Sequence, residues 1–253
     1  MITWLLQPVK VEREKMDHLM YLLEKADIPY HIVYPLEGQI LNPDQSIFEF
    51  EANTQYFVCG SYPLTRLVSK IQPSAVFSLE DYTFQSWWDI FGKENFVNSN
   101  AVICQAKDIK WIEEEYFVRP LHDTKSFNGG IYNQNTLKFE GEVVYAQLKH
   151  ISREYRFFVI DSQIVTGSLY KVNGRLEESD IIDSSALDFA NEMVKNFKGS
   201  YVLDVANANN EYKIMELNCL NAAGFYAINL YKLIMAVEDY YENSVKKTVH
   251  NKI

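Results

Sequence analysis

Apolar positions in the first third of the chain fall in short runs separated by stretches of helical spacing. The runs at residues 2–6, 30–34, 56–59 and 75–78 predict strands. Between the first two, Met16, Leu19, Met20, Leu22 and Leu23 recur at helical spacing and predict a helix over 12–26, and a second helix over 63–70 follows the Gly60-Ser61 turn. Alternating strand and helix marks an α/β layer with parallel strands. The pattern therefore predicts a small open-sheet α/β domain over residues 1–79. A helix over 82–91, carrying Trp87 and Trp88 and stopped at Gly92, opens the second unit, residues 80–253. Its aromatic pair suits an interface as readily as a core.

Beyond Ala101 the pattern changes to strands joined by polar turns, at 116–119, 130–132, 143–147, 155–160, 163–170, 201–205 and 213–218. Antiparallel sheet is expected there, interrupted by helices at 186–197 and roughly 222–241. No internal repeat or low-complexity stretch breaks the pattern.

Composition narrows the function more than the fold. With 47% hydrophobic residues in 253, the chain has enough apolar surface for a substantial core. A net charge of −10 argues against an extended nucleic-acid surface, so any anionic ligand must meet a local basic pocket. Cys59, Cys104 and Cys219 are widely spaced, suggesting neither a disulfide framework nor a zinc site and fitting a reducing, cytoplasmic setting. The apolar start of the chain is short and reads as a strand, and no run approaches the roughly twenty apolar residues that cross a bilayer. His31, His122 and His150 are scattered, as surface or packing residues are.

The most informative segment is YVLDVANANNEYKIMELNCLNAAGFY, residues 201–226. Two strands flank an Asn-rich turn and predict a β-hairpin. Glu216 and Asn218 are two apart and share one face, with Met215 and Leu217 on the other. A turn of odd length, for example 209–211, places Asp204 opposite Glu216. Three oxygen ligands then converge, which suits magnesium; the plainer reading is a solvent-facing hairpin.

Upstream, YFVRPLHDTKSFNGGIY, residues 116–132, carries Arg119-Pro120, then Lys125 and Gly129-Gly130 in a polar loop. Such a loop can close over phosphates with backbone N–H groups and a cation, or be an ordinary hairpin with a surface lysine. Glu154 and Arg156 share one strand face, from which a guanidinium fork suits phosphate oxygens; a surface ion pair is the alternative. The strand over 143–148 can flank a flat base or simply fill a core.

Taken in order, Arg119-Pro120, Lys125 with its glycines, the 143–148 strand, Glu154-x-Arg156, Asp204 and Glu216-x-Asn218 resemble the ATP-grasp superfamily. The closest likeness is to a compact clade marked by two arginines and a lysine. It covers residues 101–241, with the preceding α/β portion in the place of the usual N-terminal domain. The resemblance implies ATP clamped between two antiparallel sheets, the adenine near a hinge at Gln147, Leu148 and Lys149. It implies Arg119, Lys125 and Arg156 on the phosphates, with Lys125 and Arg156 catalytic, and Asp204, Glu216 and Asn218 on Mg2+. Asn221 and Gly224 match positions near the phosphates or the acceptor. Gln147 departs from the acidic hinge residue of many members, and the flap is short. The activity implied is ligation of a carboxylate to the amine of a small-molecule or peptide acceptor through an acyl-phosphate. A non-catalytic ATP-binding module and a small-molecule kinase use the same ATP face.

Overall fold

The computed structural model describes residues 2–8, 12–121, 127 and 129–250, with side chains to residue 244. The N-terminal sheet is parallel, in the order β2 (Tyr30–Ile32), β1 (Thr3–Leu6), β5 (Tyr56–Cys59). All four residues of β1 and of β5 are buried, as expected for parallel strands covered on both faces. Leu5, Tyr56 and Val58 pack one face against Leu64 and Val68 of helix α2 (Tyr62–Ile71). Trp4, Leu6 and Phe57 pack the other against Met16, Leu19 and Leu23 of α1 (Arg13–Lys25), whose spacing forms a single apolar stripe. Tyr34 belongs to a separate hairpin, β3 (Tyr34–Leu36) with β4 (Gln39–Leu41), turned by Glu37 and Gly38 at positive φ.

Residues 75–78 form no strand. A 3-10 turn spans Pro73–Ala75, and the Phe77 amide bonds to the Asn221 side chain instead of a neighbouring strand. Helix α3 (Phe84–Phe91) starts at a Thr83–Ser86 capping box and stops at Gly92, whose φ of 83° favours glycine.

Two antiparallel sheets follow. The outer one has the order β6 (Val102–Gln105), β9 (Glu142–Gln147), β7 (Tyr116–Pro120), β8 (Gly130–Tyr132). The central one runs β12 (Arg175–Ser179), β11 (Gln163–Val172), β10 (Ile151–Ile160), β13 (Tyr201–Ala208), β14 (Glu211–Asn218). Strands β3, β4, β6 and β12 lack long apolar runs and are not expected from the sequence.

Alternation along the central strands splits their side chains between two environments. Tyr155, Phe157, Leu203 and Leu217 face a core shared with Trp87 and Trp88 of α3, Val144 and Ala146 of β9, and Ala186 and Ala190 of α4 (Ser184–Met193). Phe158, Ile160 and Val202 face α1 and α5 (Leu230–His250). The latter helix begins at Leu230, not near 222, because the Asn229 side chain accepts the Lys232 amide as an N-cap. Among the described residues no helix is long and apolar enough to cross a membrane.

Glu238 of α5 is buried and accepts both the Ile2 amide (3.2 Å) and the Trp4 indole N–H (3.0 Å). Glu238→Ala strands both buried donors, so urea unfolding should show a loss of at least about 1.5–3 kcal/mol.

Candidate active site

The β13–β14 turn is shorter than the sequence suggests. Asn209 and Asn210, both at positive φ, make a two-residue turn closed by the pair Ala208↔Glu211. Such a turn alone would set Asp204 opposite Met215. A bulge corrects it: Val205 pairs with Ile214 but Asp204 pairs with Glu216, leaving Met215 as the extra residue. On the other side of β13, Arg156 of β10 pairs with Asp204. Arg156, Asp204 and Glu216 therefore form a row across three strands, opposite the face that carries Phe157, Leu203 and Leu217.

Asp204 is fully buried. The Arg156 fork grips it, Nε to Oδ1 at 2.8 Å and Nη2 to Oδ2 at 2.7 Å. Asn218 Nδ2 bridges the two carboxylates, donating to Asp204 Oδ2 (3.2 Å) and Glu216 Oε1 (3.1 Å). Burial pushes the Asp204 carboxyl up to about 6, against the opposing pull of Arg156 and with a further push from Glu216. Burial alone would lower the Arg156 pKa, but the Asp204 charge outweighs it and holds it above its ordinary value.

Arg119 enters from the outer sheet. Its Nη1 lies 3.9 Å from Glu216 Oε2 and its guanidinium 5.7 Å from the centre of the Phe84 ring. The contact joins the two sheets beside a small crevice lined by Phe84, Trp87, Arg119, Leu121 and Glu216. At the far end of β9, Gln147 and Leu148 border an open cavity of about 440 Å3 with Glu113, Glu114 and Glu115. Lys149 Nζ donates to the Val97 carbonyl, and burial lowers its pKa.

The chain has a counterpart among known families. The profile of the ATP-grasp domain, second family of the clade named for two arginines and a lysine, matches residues 96–235, more than half of the chain. The chain belongs to the ATP-grasp family. Solved structures with the same fold include D-alanine–D-alanine ligase from Bacillus anthracis, complexed with ATP, at 13% identity and TM-score 0.59, covering 98% of this chain and 99% of that one. The RimK domain ATP-grasp protein of Sphaerobacter thermophilus aligns at 12% identity and TM-score 0.58, covering 87% and 92%. D-alanyl-alanine synthetase A of Vibrio cholerae aligns at 11% and 0.58, covering 94% and 98%. No curated protein sequence matches the chain.

In this ATP-grasp domain the donors at Asp204, Glu216 and Asn218 are two carboxylates and an amide. Among the described residues no group of three or more His, Cys, Asp or Glu is placed to hold a metal unaided. The set nonetheless fits magnesium, which commonly takes one or two carboxylates and completes its shell with water and phosphate oxygens. Glu216 is the accessible member, its side chain 39% exposed.

Asn221 departs from expectation. Its Nδ2 donates to the Val58 carbonyl (2.7 Å) and the Ala75 carbonyl (3.1 Å), and its Oδ1 accepts the Phe77 amide (2.7 Å). A buried amide so fully used staples the N-terminal sheet to the ATP-grasp domain and has nothing left for a phosphate. Lys125 and His122 lie outside the described residues, while His31 and His150 are on the surface.

Three neighbours of Arg156 are not expected from the sequence. Tyr170 and Tyr226 lie with ring centres 5.4 and 5.0 Å from its guanidinium, and Glu12, near the start of α1, contributes a nearby negative charge. Burial raises the Glu12 pKa, with a hydrogen bond from the Phe225 backbone opposing it. A side chain on Gly224 would come within 2.4 Å of Glu12 Oε1, so the loop and the carboxylate pack tightly. No spacing rule links these positions, since Glu12 and Tyr226 come from opposite ends of the sequence.

Proposed function

We propose that the protein is an ATP- and magnesium-dependent ligase that joins a carboxylate to the amine of a small molecule or peptide. The observation that carries this reading is the row Arg156, Asp204 and Glu216 on one sheet face, with Arg119 opposed to it from the other sheet. Cations and carboxylates alternate where a triphosphate and a divalent ion need both. The ATP complexed with the Bacillus anthracis ligase supports the nucleotide assignment.

In this reading Arg119, Arg156 and Lys125 hold the phosphates, and Gln147, Leu148 and Lys149 border the adenine. Asp204, Glu216 and Asn218 hold Mg2+, which would neutralise phosphate charge. A carboxylate oxygen of the donor attacks the γ-phosphorus and ADP leaves. The amine nitrogen then attacks the acyl carbon, phosphate departs, and one proton is released. The protein's contribution is placement and charge compensation.

Magnesium-dependent ADP release, measured against a panel of amino acids and carboxylic acids, tests the proposal. Turnover requiring both a carboxylate and an amine is expected. Tight ATP binding without turnover on any acceptor would indicate a binding module, and a phosphorylated but unligated product would indicate a kinase.

A pH effect follows from the raised Asp204 pKa. Protons compete with the cation for this carboxylate, so titration calorimetry should find weaker Mg2+ binding as pH falls through about 6. Equal affinity on both sides of that pH would remove Asp204 from the cation shell.

A further inference from the structure

Tyr226 has a φ of 49°. Every other non-glycine residue at positive φ among the described residues is Asp, Asn, Glu, Gln or Ser. A bulky aromatic in the left-handed region is strained, and glycine or asparagine would hold the same backbone at lower cost. The ring explains what the strain accomplishes. It stacks on Tyr170 with centres 4.7 Å apart and planes 14° from parallel. Tyr170 is itself anchored, its hydroxyl donating to Glu154 Oε2 at 2.6 Å. Together the rings make a platform beside the Arg156 guanidinium.

That guanidinium is committed unevenly. Nε and Nη2 are bound to Asp204, while among the described residues Nη1 makes only a 3.4 Å hydrogen bond with the Gly224 carbonyl. Nη1 is thus the end of the fork with donors to offer an anion. A guanidinium held along one edge by a carboxylate can still tilt about that edge, and aromatic rings beside it limit the tilt.

We infer that Tyr226, stacked on Tyr170, is a positioning residue that fixes the tilt of Arg156 and presents its Nη1 end to the bound anion. The strained backbone at Tyr226 is what brings the ring to the guanidinium. The fixing of Arg156 stands on the geometry alone; the identity of the anion as an ATP phosphate rests on the proposed function.

The test compares wild type with Tyr226→Phe, Tyr226→Leu and Tyr226→Gly. Arginine side-chain 15N spectra of the nucleotide-free protein report how freely the Arg156 Nη groups rotate, and calorimetry with Mg2+ reports the ATP Kd. Tyr226→Phe keeps the ring and should preserve restricted rotation and an ATP affinity near that of wild type. Tyr226→Leu should release the rotation and weaken ATP binding about ten-fold, or about 1.4 kcal/mol. Tyr226→Gly relieves the strain and should stay folded with the same defect, which separates positioning from a general loss of structure. Wild-type Arg156 spectra in the Leu and Gly variants would overturn the inference, as would unchanged ATP affinity in them. If wild type binds no ATP and the Arg156 spectra still change in both variants, the positioning role is supported and it is the nucleotide reading that fails.

Discussion

Glu216→Ala should abolish magnesium-dependent turnover while leaving the fold intact. The side chain sits on the last strand of the central sheet, 39% exposed, and its contacts are Asn218 Nδ2 at 3.1 Å and Arg119 at 3.9 Å. None of these anchors the core, and a half-exposed ion pair contributes little to stability, so the unfolding midpoint should barely move. Its removal halves the carboxylate charge of the proposed cation site. Charge neutralisation by a metal is typically worth several kcal/mol in the transition state, so the rate should fall by at least about 100-fold. ADP release at saturating Mg2+, together with a thermal melt, checks both halves. Near-normal turnover in a folded variant would exclude Glu216 from the reaction.

Asp204→Ala should behave in the opposite way, damaging the fold before the chemistry is reached. The carboxylate is fully buried and neutralises a guanidinium that is nearly as buried. Without it Arg156 keeps its charge inside the protein and loses the one carboxylate bonded to it among the described residues, a loss of about 3–5 kcal/mol. The comparison that isolates the cause is the double variant Asp204→Leu with Arg156→Met. Removing both charges also removes the stranded one, so denaturant unfolding should find the double variant more stable than Asp204→Ala. If the single variant proved as stable as wild type, the buried pair would have no structural role.

The two carboxylates thus differ although they share a face and an expected ligand role. Asp204 is held by Arg156 inside the sheet, whereas Glu216 looks into the cleft between the sheets. Period-two spacing placed Glu216 and Asn218 together correctly, because alternation is a property of an extended backbone and needs no partner. The pairing of Asp204 with Glu216 was also reached from the sequence, but through an odd-length turn, whereas the molecule uses a two-residue turn and a bulge at Met215. Each device shifts the register by one, and local preferences do not choose between them.

Other positions could be assigned only with the folded chain in view. Asn221 lies beside the proposed ligands in sequence, yet its amide is spent on Val58, Ala75 and Phe77 far upstream. Those same bonds keep residues 75–78 out of a strand that their apolar run suggests. Helix α5 starts late because Asn229 caps it and Tyr226 takes a left-handed backbone just before it.

By itself the sequence determined the alternation of strand and helix in the first third, the antiparallel strands of the remainder, and which residues of β10, β13 and β14 share a face. These follow from the repeat of the backbone and the burial of apolar side chains, both local in origin. Tertiary structure decided that Arg156 neutralises Asp204, that Arg119 meets Glu216 across two sheets, and that Tyr170 and Tyr226 flank the guanidinium. Those contacts join residues tens of positions apart, and their partners are selected by how the hydrophobic layers stack.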